Sequence, residues 1–239
     1  MARLDIVRRG HEGLRIGSWR GDDRIAYMAP MAETSPTVTM VRHGCALLAS
    51  RGYGEALTSA LSPSEQAGFV GAGFSVCARL HLLSHDLASL PVVPGATLRR
   101  GRRSDRAAAL QADAAAFPAF WRLDQDGLAE ALGATPVARF RVATDSRAVV
   151  GYAITGRAGR RGYVQRVAVD PAAQHRGIGR ALVVDGLRWL ERRGAERAMV
   201  NTQEGNERAR SLYESLGFRL HTTGLVVLSR RLGAKPFLP

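Results

Sequence analysis

The stretch VAVDPAAQHRGIGRAL, residues 167–182, decides how the rest of the chain is read. A strand-like apolar run ends at Asp170-Pro171. Soon after come Arg176, Gly177, Gly179 and Arg180, and an apolar helix starts at once. A tight turn needs at most one glycine. Two, spaced by one residue, mean that something approaches the backbone closely. Successive N–H groups of such a turn point the same way, and with the helix dipole they form an anion site. The arginines add charge of the right sign.

Working outward, VQRVAVD upstream is a strand, and GRALVVDGLRWLERRG downstream is an amphipathic helix that ends at Gly194. AMVNT follows as a strand. NERARSLYESLG is a helix with Asn206 as N-cap and Gly217 as its stop, and FRLHTTGLVVLSRRL gives one or two closing strands. Before the opening stretch, ATLRRGRRS is a strand and RAAALQADAAAFPAFW is helical up to Pro118. DQDGLAEAL is a second helix with an Asp cap. VARFRVAT and AVVGYAITGR alternate as strands around a hairpin near Asp145-Ser146. The order is strand, two helices, three strands, helix, strand, helix, strands. The fold class is α/β (α+β), a mixed sheet flanked by helices.

On two motifs, residues 95–232 resemble the GCN5-related N-acetyltransferase (GNAT) family, which moves acetyl from acetyl-CoA to an amine. QHRGIG (174–179) fits its Gln/Arg-x-x-Gly-x-Gly/Ala pyrophosphate loop, and NERARSLYESLGF (206–218) fits its Asn-x-x-Ala-x-x-x-Tyr-x-x-x-Gly-Phe stretch. The resemblance implies acetyl-CoA binding by Gln174, His175, Arg176, Gly177, Ile178, Gly179 and Arg180, with Asn206 opening the second motif. It also implies a bulged strand whose backbone at Val167, Ala168 and Val169 pairs with the pantetheine arm and polarises the thioester.

The resemblance makes Tyr213 the general acid for the leaving CoA thiolate. A phenol near ~10 and a thiol near ~8.5 make that transfer mildly uphill, and basic surroundings are expected to narrow the gap. The family's strand glutamate, about twelve residues before the tyrosine, falls on Asn201. An amide accepts no proton, so Asn201 is expected to position the amine or a water. Glu204, His221 or water is left as the base. The acceptor stays open between a small amine, a peptide N-terminus and a protein lysine. The Asn201 departure also permits a non-catalytic acetyl-CoA-binding module.

The first half contains an echo. RGYGEALTSALSPSEQAGFVGAGF (51–74) aligns with RGAERAMVNTQEGNERARSLYESLGF (193–218) at an offset of 142, pairing Gly52 with Gly194 and setting Gly71 at the Tyr213 position. Dropping two residues pairs Gly73-Phe74 with Gly217-Phe218. LHLLSHDL (80–87) parallels LVVLSRRL (225–232). The first half reads as the back half of a degenerate, truncated GNAT repeat without the glycine loop. The expected domains are 1–94 and 95–239, divided in the Pro/Gly-containing stretch 88–102, with one acetyl-CoA bound.

Charge supports that division. The chain carries +13, with a single lysine, Lys235, among 34 basic residues. Residues 1–94 hold nine Arg against eight Asp/Glu, whereas residues 95–239 hold twenty-five Lys/Arg against thirteen Asp/Glu. The excess lies in the half with the loop and favours an anionic ligand. LRRGRRSDR (98–106) and RAGRR (157–161) raise nucleic acid as a partner, but no nucleic-acid motif accompanies them and none is expected. His81 and His85 cannot alone complete a zinc site, so no metal is expected. With no apolar run of membrane length and no signal core, a cytoplasmic chain with free Cys45 and Cys77 is expected, as monomer or homodimer.

Overall fold

A computed structural model describes residues 4–31, 35–92 and 95–233. Along the chain run β1 (Asp5–Arg9), β2 (Glu12–Trp19), β3 (Asp22–Pro30), α1 (Val38–Ser50), β4 (Glu55–Thr58), α2 (Ala67–Gly71) and β5 (Ser75–His85). Then come β6 (Leu98–Arg100), α3 (Arg106–Ala116), α4 (Gln125–Gly133), β7 (Val137–Asp145), β8 (Ala148–Ala158) and β9 (Arg161–Val169). Last are α5 (Ile178–Arg192), β10 (Arg197–Gln203), α6 (Glu207–Ser215), β11 (Arg219–Leu220) and β12 (Leu225–Arg231).

Two compact units result. Unit 1 is Met1–His81 with Asn201–Gly205 and Thr222–Pro239, and unit 2 is Leu82–Val200 with Asn206–His221. The division expected at residue 94 falls on Val93-Pro94, outside the described residues.

Unit 1 has strand order β1-β2-β3-β4-β12-β5. β1 to β3 form an antiparallel meander, α1 crosses over, and β4 runs parallel to β3. Pairing of β3 with β4 continues from Ile25↔Glu55 to Met28↔Thr58, the full length of β4. β12 is antiparallel to both β4 and β5. Leu14, Ile16 and Met28 of the sheet pack on Met40 and Leu48 of α1 and Phe69 of α2, all without exposure. Thr37 caps α1 by accepting the Met40 N–H (3.2 Å). Behind it, the Glu12 carboxylate accepts from the Thr37 N–H and hydroxyl, both at 2.7 Å. The meander is more than the back half that the sequence indicated.

Unit 2 has strand order β10-β9-β8-β7-β6, with β10 parallel to β9 and the others antiparallel. β11 pairs with the end of β5 through Arg219↔Ser84 and Leu220↔Leu83. The β7–β8 hairpin turns on Ser146 and Arg147, both with positive φ, as a two-residue loop matched to strand twist requires. Strand alternation sorts the faces. Tyr152, Ile154 and Ala168 pack with Ala109 of α3 and Leu128 of α4. Ala153 and Val169 pack with Ile178 and Leu182 of α5. Leu187 and Leu190 are fully buried, and each such side chain stabilises by about 1.5–3 kcal/mol.

The internal echo has a structural counterpart. In each unit a helix, a left-handed glycine, a strand, a helix, a second left-handed glycine and a strand follow in order. The glycines are Gly52 (φ +94°) and Gly73 (φ +91°) in one, Gly194 (φ +72°) and Gly217 (φ +93°) in the other. The detailed alignment needs one correction. Phe74 N–H donates to the Phe69 carbonyl just as Phe218 N–H donates to that of Tyr213, both at 3.1 Å. Each pair also packs its rings together, edge-on or tilted, with centroids 5.4 and 5.5 Å apart. Phe69, not Gly71, is therefore the counterpart of Tyr213. Residues 67–71 register from the glycine at the helix end, so the two-residue deletion precedes the aromatic.

Among the described residues no helix is long and apolar enough to cross a membrane. Cys45 is buried, Cys77 is exposed, and both are free thiols.

Candidate active site

The site is built on β9 and the starts of α5 and α6. Antiparallel pairing of β8 with β9 shifts between Ile154↔Arg166 and Thr155↔Val164, leaving Gln165 as an extra residue. A bulge of this kind bends a strand and strengthens its twist. On the other edge, pairing of β9 with β10 ends at Tyr163↔Met199. Past that point the backbone of β9 is turned outward. Asp170 N–H donates inward to the Val150 carbonyl (2.9 Å), whereas the Val169 carbonyl accepts from Gln174 Nε2 (2.9 Å). By alternation, Val167 and Val169 direct their backbone groups away from β8 and Ala168 toward it. The expected bulged strand is present.

Gln174 is clamped on both sides, because its Oε1 also accepts from Arg208 on the first turn of α6. His175 follows with φ +61°, then Arg176, then Gly177 with φ +75°. A Cβ on Gly177 would meet nothing within 4 Å, so backbone conformation explains that glycine. Gly179 differs. It lies in α5, and a Cβ there would make only ordinary contacts with Leu212 (3.6 Å) and Val169 (3.8 Å). Ile178 is buried and anchors the helix start.

The start of α5 stands apart from those of α1, α4 and α6. Those three carry side-chain caps, from Thr37, Asp124 and Asn206. α5 has Gly177 at its N-cap and no side-chain acceptor, and its first helical bond is Ala181 N–H to the Gly177 carbonyl (3.0 Å). The N–H groups of Ile178, Gly179 and Arg180 therefore have no intrahelical partner. Arg176 is paired with Asp145 (2.8 Å), both well exposed. Arg180 donates to Ser215 Oγ (2.8 Å) and to the Ser215 carbonyl at the end of α6 (3.2 Å).

Tyr213 projects from α6 into a core of Val164, Leu216 and Phe218, and is 7% exposed. Its hydroxyl makes no hydrogen bond to another described residue. Burial pushes the phenol up to about 12, with the Arg166 charge opposing. This corrects the expectation that basic surroundings would bring the phenol toward the thiol. Desolvation of the phenolate outweighs a single buried guanidinium.

Asn206 holds α6 by accepting the Ala209 N–H (3.1 Å). Asn201 and Glu204 are exposed and lie in the Asn201–Gly205 segment of unit 1, where Glu204 N–H donates to the Arg79 carbonyl (3.2 Å). His221 is in unit 2 and shares a 2.8 Å hydrogen bond with Ser84 Oγ. His85 has both nitrogens in use: Nδ1 accepts the Leu87 N–H (2.8 Å), so Nε2 donates to the Leu216 carbonyl (3.0 Å). It closes the end of α6. No group of three or more metal-ligating side chains occurs among the described residues.

Two features escaped the sequence reading. Arg208 lies inside the quoted NERARSLY motif, two residues past the cap, and helical spacing from Asn206 was the available signal. The buried Asp113–Arg166 pair had none, because its partners come from α3 and β9, 53 residues apart.

Comparison with known proteins agrees with this geometry. The family model for the Acetyltransferase (GNAT) family matches residues 107–218. The mycothiol acetyltransferase of Amycolatopsis mediterranei (strain U-32) is 45% identical over 62 residues, 26% of this chain and 21% of that protein. The chain thus matches about a fifth of that relative's length. A tandem GNAT protein from the clavulanic acid biosynthesis pathway superposes with a TM-score of 0.67 at 14% identity, over 95% of this chain and 82% of its own. A GCN5-related N-acetyltransferase from Kribbella flavida gives 0.65 at 15% identity, over 98% and 91%. At such identities these two likenesses speak for the fold alone. The bulged β9, the uncapped glycine turn and the motif that ends at Gly217-Phe218 all lie within residues 107–218, the span over which this chain is similar to the Acetyltransferase (GNAT) family.

Proposed function

We propose that this protein transfers an acetyl group from acetyl-CoA to a primary amine by direct attack in a ternary complex, with residues 95–239 carrying the machinery. The observation that carries this reading is the start of α5. Its outward N–H groups, the helix dipole and the surplus of arginine suit a pyrophosphate. Gly179 supports it further, since neither backbone conformation nor protein packing calls for a glycine there. A ligand resting on the turn does.

In this reading Gln174, His175, Arg176, Gly177, Ile178, Gly179 and Arg180 hold the pyrophosphate. The exposed Arg176–Asp145 pair is worth about 0–1 kcal/mol and yields to a phosphate. Arg208 joins the site through Gln174. The outward backbone of Val167 and Val169 pairs with the pantetheine arm and donates to the thioester oxygen as negative charge develops. Tyr213 keeps its proton at neutral pH and gives it to the departing thiolate. Asn201 keeps its assignment to acceptor handling on the sequence pattern alone.

Unit 1 offers no second acetyl-CoA site in this reading. Its β3–β4 pair is zipped for the whole of β4, and Thr37 and Glu12 already fill the start of α1. The acceptor named for the mycothiol acetyltransferases is not carried over, because the match spans so little of them.

Isothermal titration with acetyl-CoA, followed by mass spectrometry over small amines, peptides and proteins, tests the proposal. Binding and acetylation of one amine class are expected. Binding with no turnover on any amine would favour the non-catalytic module, and the absence of binding would remove both readings.

A further inference from the structure

We infer that Arg166 is a positioning residue for acyl transfer: clamped by Asp113, it holds β9 in its bulged course beside Val167. The inference rests on the acetyltransferase reading above.

A bulge interrupts the ladder that would otherwise fix a strand's course. In β9 the residue after the bulge carries the restraint. Arg166 donates through Nε and Nη2 to the two oxygens of Asp113, both at 2.7 Å. Nη2 also donates to the Trp121 carbonyl (2.7 Å). The guanidinium lies over the Phe117 ring, 3.5 Å from its centroid. One side chain thereby ties β9 to α3 and to the turn that follows it.

Asp113 is fully buried. Beyond the two Arg166 bonds it accepts the Tyr152 hydroxyl (2.6 Å) and the Leu123 N–H (2.8 Å). Its four acceptor positions are filled. A core gains little stability from a buried ion pair that apolar residues of similar volume could replace. A pair retained in such a place is better explained by the geometry it imposes. Here the geometry is that of the strand whose next residue, Val167, turns its backbone outward.

The electrostatics run the same way. Burial raises both Tyr152 and Tyr213, and the Arg166 charge opposes the rise at each; at Tyr152 the Asp113 charge adds to the rise, whereas at Tyr213 no carboxylate does. Arg166 thus makes the phenol assigned to catalysis a better proton donor.

The test compares Arg166→Lys, Arg166→Gln and Asp113→Asn with the parent, using thermal unfolding, acetyl-CoA affinity and the steady-state constants. Lysine retains the charge but cannot span both carboxylate oxygens. Folded Arg166→Lys should bind acetyl-CoA within about threefold of the parent, because the pyrophosphate turn is untouched, and lose roughly 10²-fold in kcat, the scale of an ångström misplacement. Arg166→Gln should lose more, and lysine should partly rescue it. If glutamine prevents folding, Asp113→Asn keeps the inference testable. With the carboxylate neutral, Tyr213 should ionise at lower pH, read as the tyrosinate absorbance that Asp113→Asn has and Asp113→Asn/Tyr213→Phe lacks. A kcat within twofold of the parent in folded Arg166→Lys, or a Tyr213 titration that does not move in Asp113→Asn, overturns the assignment. A parent that binds acetyl-CoA and turns over no amine refutes the acetyltransferase reading, and this one with it. An active parent with indifferent variants refutes this one alone.

Discussion

Tyr213→Phe separates chemistry from packing with little ambiguity. The ring is almost wholly buried among Val164, Leu216 and Phe218, and Phe preserves those contacts. The lost hydroxyl breaks no hydrogen bond to a described residue. Stability should therefore stay within about 0.5 kcal/mol of the parent at neutral pH. Turnover should fall about 10²-fold, or about 2.7 kcal/mol, the scale of a lost general acid, with acetyl-CoA affinity unchanged. A phenol at about 12 donating to a thiolate near ~8.5 is uphill by about 5 kcal/mol, so the proton moves late, as the C–S bond breaks. The pH dependence has a definite sign. Neutral Tyr213 is the active form, and it persists until pH nears about 12. The kcat profile should rise with amine deprotonation and show no Tyr213-dependent alkaline limb below that region. Between the phenol's ordinary value of 10 and about 12, the unfolded chain releases this proton while the folded one retains it. Stability therefore drops as pH rises across that window, and Tyr213→Phe should lessen the drop. Stopped-flow turnover and denaturant unfolding at several pH values make the measurement. Turnover within twofold of the parent, or a loss of several kcal/mol at neutral pH, would assign Tyr213 to packing and refute the reasoning.

Gly179→Glu should abolish acetyl-CoA binding in calorimetry, because a carboxylate would then stand where phosphate is assigned; retained affinity in the folded variant removes the turn from the site. Gly177→Ala is milder. Its left-handed φ costs roughly 1–2 kcal/mol with no clash, so thermal unfolding should register a modest loss. Titration should count one acetyl-CoA per chain, and a stoichiometry near two would mean that unit 1 has a site after all. The Arg99 guanidinium beside Asp105 holds its carboxyl down to about 2. This contribution is present above the usual carboxylate range near ~3.9 and lost as pH falls toward 2. Asp105→Asn should flatten the acid limb of stability there, and an unchanged limb contradicts the assignment.

What the sequence disclosed was local. The glycine turn, the Asn206 cap and the Gly217 stop each lie within one motif, and backbone conformation dictated their residue types. The bulge was anticipated from resemblance, and its place at Gln165 emerged only from the register of two strands. The phenol's shift was misjudged because charge is visible in a sequence and desolvation is not. The Tyr213 counterpart was misplaced because a two-residue deletion can be set on either side of a short helix. Phe69 was recovered from one repeated backbone bond. Arg166 carries no local signature, because its partner Asp113 lies 53 residues away in sequence.

The position of β12 bears on how the chain reaches its native state. The strand lies between β4 and β5 in unit 1, and Leu228 N–H donates to Thr58 Oγ1 from 170 residues away in sequence. The segments from α3 to α6 are synthesised between β5 and β12, so β4 and β5 wait through that stretch of translation for their shared partner. The closure entropy of such a loop must be met before its contacts repay it, which makes folding slow and leaves two strand edges exposed meanwhile. The two halves of the gene are consequently not interchangeable parts. A cut near residue 94 leaves β12 without β4 and β5, and takes from β11 the end of β5 with which it pairs.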